Sequence, residues 1–132
     1  MKQFYAGILL AATITVPALA QDVTQGKDLY RTYCATCHGL DADGKGPMGP
    51  ALILQPTNLT QLQAANDGVF PLTRVIKRID GRDPLVSHGS PMPVFGDFFE
   101  GRDVALKTKS GQPIMTSMPV ADIVAWLESV QQ

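Results

Sequence analysis

Two cysteines and a histidine stand close together at Cys34-Ala35-Thr36-Cys37-His38, and this spacing constrains the chain more than any other feature. Two thiols three residues apart on a helical turn can form thioether bonds with the two vinyl groups of a haem. The imidazole of the next residue then lies directly against the iron. The motif therefore predicts one covalently bound haem c, with Cys34 and Cys37 as attachment points and His38 as an axial ligand.

Other uses of the two cysteines are weaker predictions. A structural disulfide that closes so small a loop stabilises little. A thioredoxin-like dithiol needs strands before the motif, and the sequence shows none there. A structural zinc site needs four ligands, usually from two cysteine pairs, whereas the whole chain has two cysteines and two histidines.

The N-terminus has the pattern of a secretory signal peptide. Lys2 precedes the apolar stretch 4–16, and Ala18-Leu19-Ala20 supplies small residues for cleavage after Ala20. The alternative is an uncleaved anchor, but the stretch is shorter than the roughly 20 residues that a spanning helix needs. We therefore predict a periplasmic protein with a cleaved signal peptide (1–20), one domain (21–132) and no membrane span in the mature chain.

The charge balance argues against two classes of partner. The chain has 11 Lys and Arg against 12 Asp and Glu, without a run of like charges. Nucleic acid and anionic membrane surfaces both attract a basic excess. We therefore expect neither of them to be the main partner.

The spacing of apolar residues predicts an all-α fold, with a few helices joined by long loops around one centre. The predicted helices run from Asp22 to His38-Gly39, over 58–65, from Pro71 to Gly81, and from Pro119 towards the C-terminus. The segment 41–56 is rich in glycine and proline and is predicted to wrap around something. No segment alternates convincingly as a strand.

The mature chain resembles the class I c-type cytochromes over essentially its full length. The matching elements are Gly26, Tyr30, the Cys34-x-x-Cys37-His38-Gly39 motif, Gly46-Pro47, Gly49-Pro50-Ala51-Leu52, Met92-Pro93 and Trp126. The resemblance implies the cytochrome c fold, wrapped around one haem. It also implies that the first and last helices cross closely at Gly26, Tyr30 and Trp126.

The resemblance further implies a proline carbonyl that accepts the Nδ1 hydrogen of His38. Such a bond fixes the ring and raises its basicity. Pro50 is the preferred acceptor, and Pro47 is the alternative.

The sixth ligand of the iron is sought among the methionines, since methionine is a usual partner of histidine in cytochromes c. Met92 is preferred, because Pro91 and Pro93 hold it in an extended loop. Met48 is too close to His38 to reach the opposite face of a haem. The remaining alternatives are Met118, Met115 and His88.

These features predict an electron carrier whose iron cycles between Fe(II) and Fe(III) with histidine and methionine ligands, and which catalyses no bond chemistry. Its partners would be extracytoplasmic redox proteins that dock transiently. One alternative is a haem subunit of a larger oxidoreductase complex, with the insertion 97–117 as a docking surface. A tolerated surface loop is the preferred explanation of that insertion. Another alternative is a five-coordinate protein that binds gases.

Overall fold

A computed structural model describes residues 20–82 and 92–132, and these form four helices and one β-hairpin. The helices are α1 (Val23–Tyr33), α2 (Ala35–His38), α3 (Leu72–Asp80) and α4 (Met118–Ser129). Short 3-10 turns span Gly49–Ala51, Leu59–Gln61, Ala64–Asn66 and Gly96–Phe99, and the strands are β1 (Asp103–Lys107) and β2 (Pro113–Ser117). In this part of the chain no helix is long and apolar enough to cross a bilayer. The predicted signal peptide lies almost wholly outside it.

Helices α1 and α4 cross at very short range, as the resemblance predicted. A Cβ added to Gly26 would lie 1.9 Å from the carbonyl oxygen of Asp122, so only glycine allows this approach. One turn further along, the rings of Tyr30 and Trp126 pack against each other with centroids 4.2 Å apart and planes tilted by 37°. Both side chains are buried, and the crossing forms the centre of the core.

The start of α1 is capped by Asp22, for which the sequence predicts a capping box with Gln25. Its side chain accepts hydrogen bonds from the backbone amides of Thr24 and Gln25. The reciprocal half of a capping box is replaced by a tertiary contact, since the amide of Asp22 donates to Oδ1 of Asp122 at 2.8 Å. The N-terminus of α1 is therefore built on α4.

The predicted first helix is interrupted at Cys34. This residue has φ −115° and ψ −33° and separates α1 from α2. Gly39 ends α2 with φ +83°, in agreement with its predicted role as the stop. The haem-binding motif therefore occupies a short helical turn of its own.

Helix α3 agrees closely with its prediction. Three members of its predicted apolar stripe, Val75, Ile76 and Ile79, are buried, and the fourth, Leu72, is partly buried. Gly81 ends the helix in the left-handed region. The helix predicted over 58–65 is instead a pair of 3-10 turns, the first begun by Asn58, whose side chain accepts from the Thr60 amide.

The all-α prediction was wrong for the insertion 97–117, which contains an antiparallel hairpin. Asp103 pairs with Ser117 and Lys107 with Pro113. Strand β2 does alternate, burying Ile114 and Thr116 and exposing Pro113 and Met115. Each strand has only five residues, too few for the alternation to stand out among glycines and prolines.

Candidate haem site

The helical turn α2 brings the two cysteines and the histidine together. The amides of Cys37 and His38 both donate to the carbonyl oxygen of Cys34, at 3.1 and 2.9 Å. Both cysteines are free thiols and both are partly buried. The turn thus presents two unpaired sulfur atoms and one imidazole within five consecutive residues.

The raised pKa of the Cys34 thiol argues against dithiol chemistry at this turn. Burial, and then the neighbouring Cys37, raise the pKa of the Cys34 thiol to about 11. Redox-active cysteines of the thioredoxin type need a lowered pKa, because the thiolate is the nucleophile. Over the described ranges, no group of three or more metal-ligating side chains forms either.

The imidazole of His38 is oriented by a backbone carbonyl. Its Nδ1 lies 3.0 Å from the carbonyl oxygen of Thr57. Because a carbonyl oxygen can only accept, Nδ1 carries the hydrogen and the lone pair of the ring is on Nε2. The second ring nitrogen is therefore the one prepared to bind a metal.

This hydrogen bond was predicted for Pro50, and the structure assigns it to Thr57. Pro50 lies exposed in the turn Gly49–Ala51, which is closed by the amide of Leu52 donating to Gly49. The loop turns there and reaches the imidazole of His38 at Thr57. A contribution of Pro50 to haem binding remains a prediction.

The loop that follows α2 packs directly on its backbone. The amides of Gly44, Gly46 and Met48 donate to the carbonyl oxygens of residues 38, 37 and 36, at 2.8, 3.1 and 3.1 Å. A Cβ on Gly46 would lie 2.5 Å from the backbone of Cys37, so a side chain there would push the loop away. These contacts hold the motif in its helical turn.

Thr57 could not be found from the sequence, because the acceptor is a backbone carbonyl and every residue has one. Its segment is held beside the histidine by the Leu59 amide, which donates to the carbonyl oxygen of Ala42 at 2.7 Å. Ala42 adopts φ +59°, which is uncommon for a residue other than glycine, and it is completely buried.

Met92 begins the second described segment and packs, partly buried, against the core. The Phe95 amide donates to the carbonyl oxygen of Ile79 at 3.2 Å, which returns this segment to the end of α3. Met115 lies on the outer face of the hairpin and is half exposed. Met118 is partly buried at the start of α4. His88 and Pro91 lie outside the described residues.

An aromatic cluster joins the end of α1 to the residues that follow Met92. Tyr33 meets Phe98 and Phe99 edge to face, with centroids 5.1 and 5.4 Å apart. Phe95 contacts both of these phenylalanines. The segment after Met92 is therefore attached next to Cys34 through side-chain packing.

Comparison with known proteins decides the family of the chain. Residues 21–107 match the family model described as cytochrome c oxidase, cbb3-type, subunit III, which is well over half of the sequence. The chain belongs to the c-type cytochromes. It is therefore an electron-carrying haem protein, as its motif predicted.

Two relatives support this assignment. The chain is 31% identical over 96 residues to the cytochrome bc1 complex cytochrome c subunit of Corynebacterium diphtheriae, covering 67% of the chain and 34% of that relative. It therefore spans about a third of that protein's length. It is 27% identical over 101 residues to cytochrome c6 of Rippkaea orientalis, covering 76% of the chain and 78% of that relative. No solved structure matches the chain.

The residues of this cytochrome fit the haem c that its family implies. Two free thiols lie on one helical turn, and the hydrogen bond to Thr57 leaves Nε2 of His38 as the metal-binding nitrogen. The loop after the motif also exposes large apolar side chains, with Ile53 fully exposed and Leu54 64% exposed. Such a surface favours a large apolar group next to it.

Proposed function

We propose that the chain is a monohaem electron carrier with the haem attached to Cys34 and Cys37 and the iron held by His38 and Met92. The observation that carries this proposal is the turn α2, where both thiols are free and His38 is oriented by Thr57. The sequence contains a single motif of this kind, which supports one haem.

When bound, the haem supplies a one-electron couple between Fe(II) and Fe(III). The protein contributes by holding the same two ligands in both oxidation states. The Thr57 carbonyl fixes the ring plane and tautomer of His38, and packing against the core restricts Met92. Rigid ligands need little rearrangement when the charge on the iron changes.

The proposal includes export and transient partners. Residues 1–20 would direct export to the periplasm and be removed there. Redox proteins would then dock on the mature chain for electron exchange. The relative named cytochrome c6 has a length similar to that of this chain, which supports a free carrier.

A second candidate is a haem subunit of a larger oxidoreductase complex. The matched family model is named for a subunit of an oxidase, and one relative is named for a subunit of a bc1 complex. In this case the hairpin of β1 and β2 would be an interface. Elution of the native protein at the volume of a monomer would count against this candidate.

The decisive experiment is optical spectroscopy of the mature holoprotein in the oxidised, reduced and CO-treated reduced forms. We expect a methionine–iron charge-transfer band in the oxidised form and no spectral change with CO. Met92→Ala should abolish the band and open the iron to CO. Met115→Ala is the matched control, since this side chain lies on the outer face of the hairpin.

Each other outcome points to a different site. A band that survives in Met92→Ala would transfer the ligand to Met118 or Met115. A native protein without the band that binds CO readily would be the five-coordinate gas-binding alternative. A low-spin spectrum with neither the band nor CO binding would indicate His88 as the sixth ligand.

A further inference from the structure

The side chain of Gln131 connects the C-terminal residues to the segment that follows Thr57. Its Nε2 donates to the carbonyl oxygens of Leu59 and Leu127, at 2.8 and 2.7 Å. Its Oε1 accepts from the backbone amide of Gln63 at 2.9 Å. One amide side chain therefore makes three hydrogen bonds and attaches two points of the segment 59–63 to α4.

The segment that Gln131 holds carries the acceptor for His38. Leu59 is only two residues after Thr57, and its peptide groups are held on both sides. Its amide donates to Ala42 in the loop after α2, whereas its carbonyl accepts from Gln131. The segment that carries the Thr57 carbonyl is thus attached to α2's own loop on one side and to α4 on the other.

Helix α4 gives this contact a rigid base. Trp126 packs on Tyr30, and α1 leads directly to Cys34. The backbone amide of Gln132 adds a hydrogen bond to the carbonyl oxygen of Thr60 at 2.9 Å. The imidazole is therefore connected to the crossing of α1 and α4 through α1, and its acceptor is connected to the same crossing through α4. The two residues are nineteen positions apart in the sequence.

We propose that Gln131 is a positioning residue for His38, acting through the segment 57–59. The side chain does not touch the imidazole. It holds the Thr57 carbonyl at hydrogen-bond distance from Nδ1 and limits local opening of the segment. The electronic consequence of this role rests on the proposed function, in which His38 is an iron ligand.

That consequence has a definite direction. A hydrogen bond from Nδ1 to a carbonyl increases the basicity of the ligating nitrogen. A more basic ligand favours Fe(III) over Fe(II). A looser contact with Thr57 should therefore shift the equilibrium towards Fe(II) and make the reduction potential more positive.

The test compares Gln131→Ala and Gln131→Met with Gln132→Ala in the holoprotein. Gln131→Met keeps the length of the side chain and removes its hydrogen bonds. Gln132→Ala is the matched control, because it deletes the same side chain one residue later, where Oε1 of Gln132 makes a long contact of 3.4 Å with Nε2 of Gln61. The two readouts are solvent exchange of the His38 Nδ1 hydrogen by NMR and the reduction potential.

We expect Nδ1 exchange to be about fivefold faster or more in both Gln131 variants than in Gln132→Ala, since losing a typical hydrogen bond changes a local opening equilibrium by about that factor. The potential of the same variants should be more positive than that of the control. Equal exchange rates in all three variants would overturn the proposal, even if the Gln131 variants were less stable.

Failure of the proposed function would give a different result. If His38 does not bind the iron, His38→Ala will keep the wild-type axial-ligand spectrum, and the Gln131 variants will leave the potential unchanged. Faster exchange at Nδ1 would still identify Gln131 as the residue that positions the ring.

Discussion

Asp122 is a buried carboxylate at the point where two helices meet. It is 6% exposed, and its Oδ1 accepts from the Asp22 amide at the N-cap of α1. Burial raises its pKa above the ordinary value, the hydrogen bond from Asp22 lowers it in part, and the negative charge of Asp22 raises it further. The neutral carboxyl is thus favoured by folding.

The pH dependence of stability should reveal this carboxyl. A group whose pKa is raised in the folded state contributes most stability below its ordinary pKa of about 4, and the contribution is lost as the pH rises through the folded pKa. Asp122→Asn removes the titration and keeps an acceptor oxygen for Asp22. The unfolding free energy of the wild type, relative to this variant, should therefore fall as the pH rises above the ordinary carboxyl pKa of about 4.

Denaturant titrations at several pH values would measure this difference. Asp97→Asn is the control, because it makes the same change at an exposed residue of the turn Gly96–Phe99. A difference for Asp122→Asn that is flat with pH, or that grows as the pH rises, would contradict the assignment.

At the scale of elements, the crossing of α1 and α4 depends on one residue without a side chain. The atom nearest to a Cβ on Gly26 is a backbone oxygen of α4, at 1.9 Å, and backbone cannot move aside without displacing the helix. The helices would have to separate, and the packed rings of Tyr30 and Trp126 would lose contact.

Gly26→Ala should therefore destabilise the protein by about 1–3 kcal/mol, the usual cost of overpacking a core. A loss of stability would be informative, because alanine is favoured over glycine by about 1 kcal/mol inside an exposed helix. Thermal or urea unfolding of the holoprotein would measure the effect. Lys27→Ala, an exposed change on the same helix, should stay close to the wild type, and a Gly26→Ala variant as stable as that control would contradict the close approach.

At the scale of the whole molecule, the described residues form a buried core, and long loops join the helices. The buried cluster is built mainly from α3 and α4, with Tyr30 from α1, while the loop 48–54 exposes most of its apolar side chains. A chain of this size buries a limited apolar area, so a large apolar cofactor would contribute a substantial share of its stability.

Removal of the haem should test this contribution. The double variant Cys34→Ala with Cys37→Ala cannot form thioethers, and we expect its unfolding free energy to be lower by several kcal/mol than that of the holoprotein. Circular dichroism during urea unfolding would measure the loss. Thr36→Ala, exposed between the two cysteines, should keep the haem and the wild-type midpoint. Equal midpoints for the double variant and the holoprotein would show that the polypeptide folds without help from its cofactor.

The sequence by itself determined the chemistry and the main helices. The cofactor follows from Cys34, Cys37 and His38 because the motif is local, and its function depends on spacing within one turn. Helix α3 could be predicted because its apolar stripe and its terminal Gly81 lie within ten residues.

Only the tertiary structure decided what holds the histidine. Thr57 replaces Pro50 as the acceptor because the loop returns to His38 through contacts with α2 and Ala42, and a backbone carbonyl leaves no mark in the sequence. The hairpin and the contact of Gln131 with Leu59 could likewise not be predicted from the sequence. They depend on which distant backbone groups become neighbours once α1 and α4 have crossed.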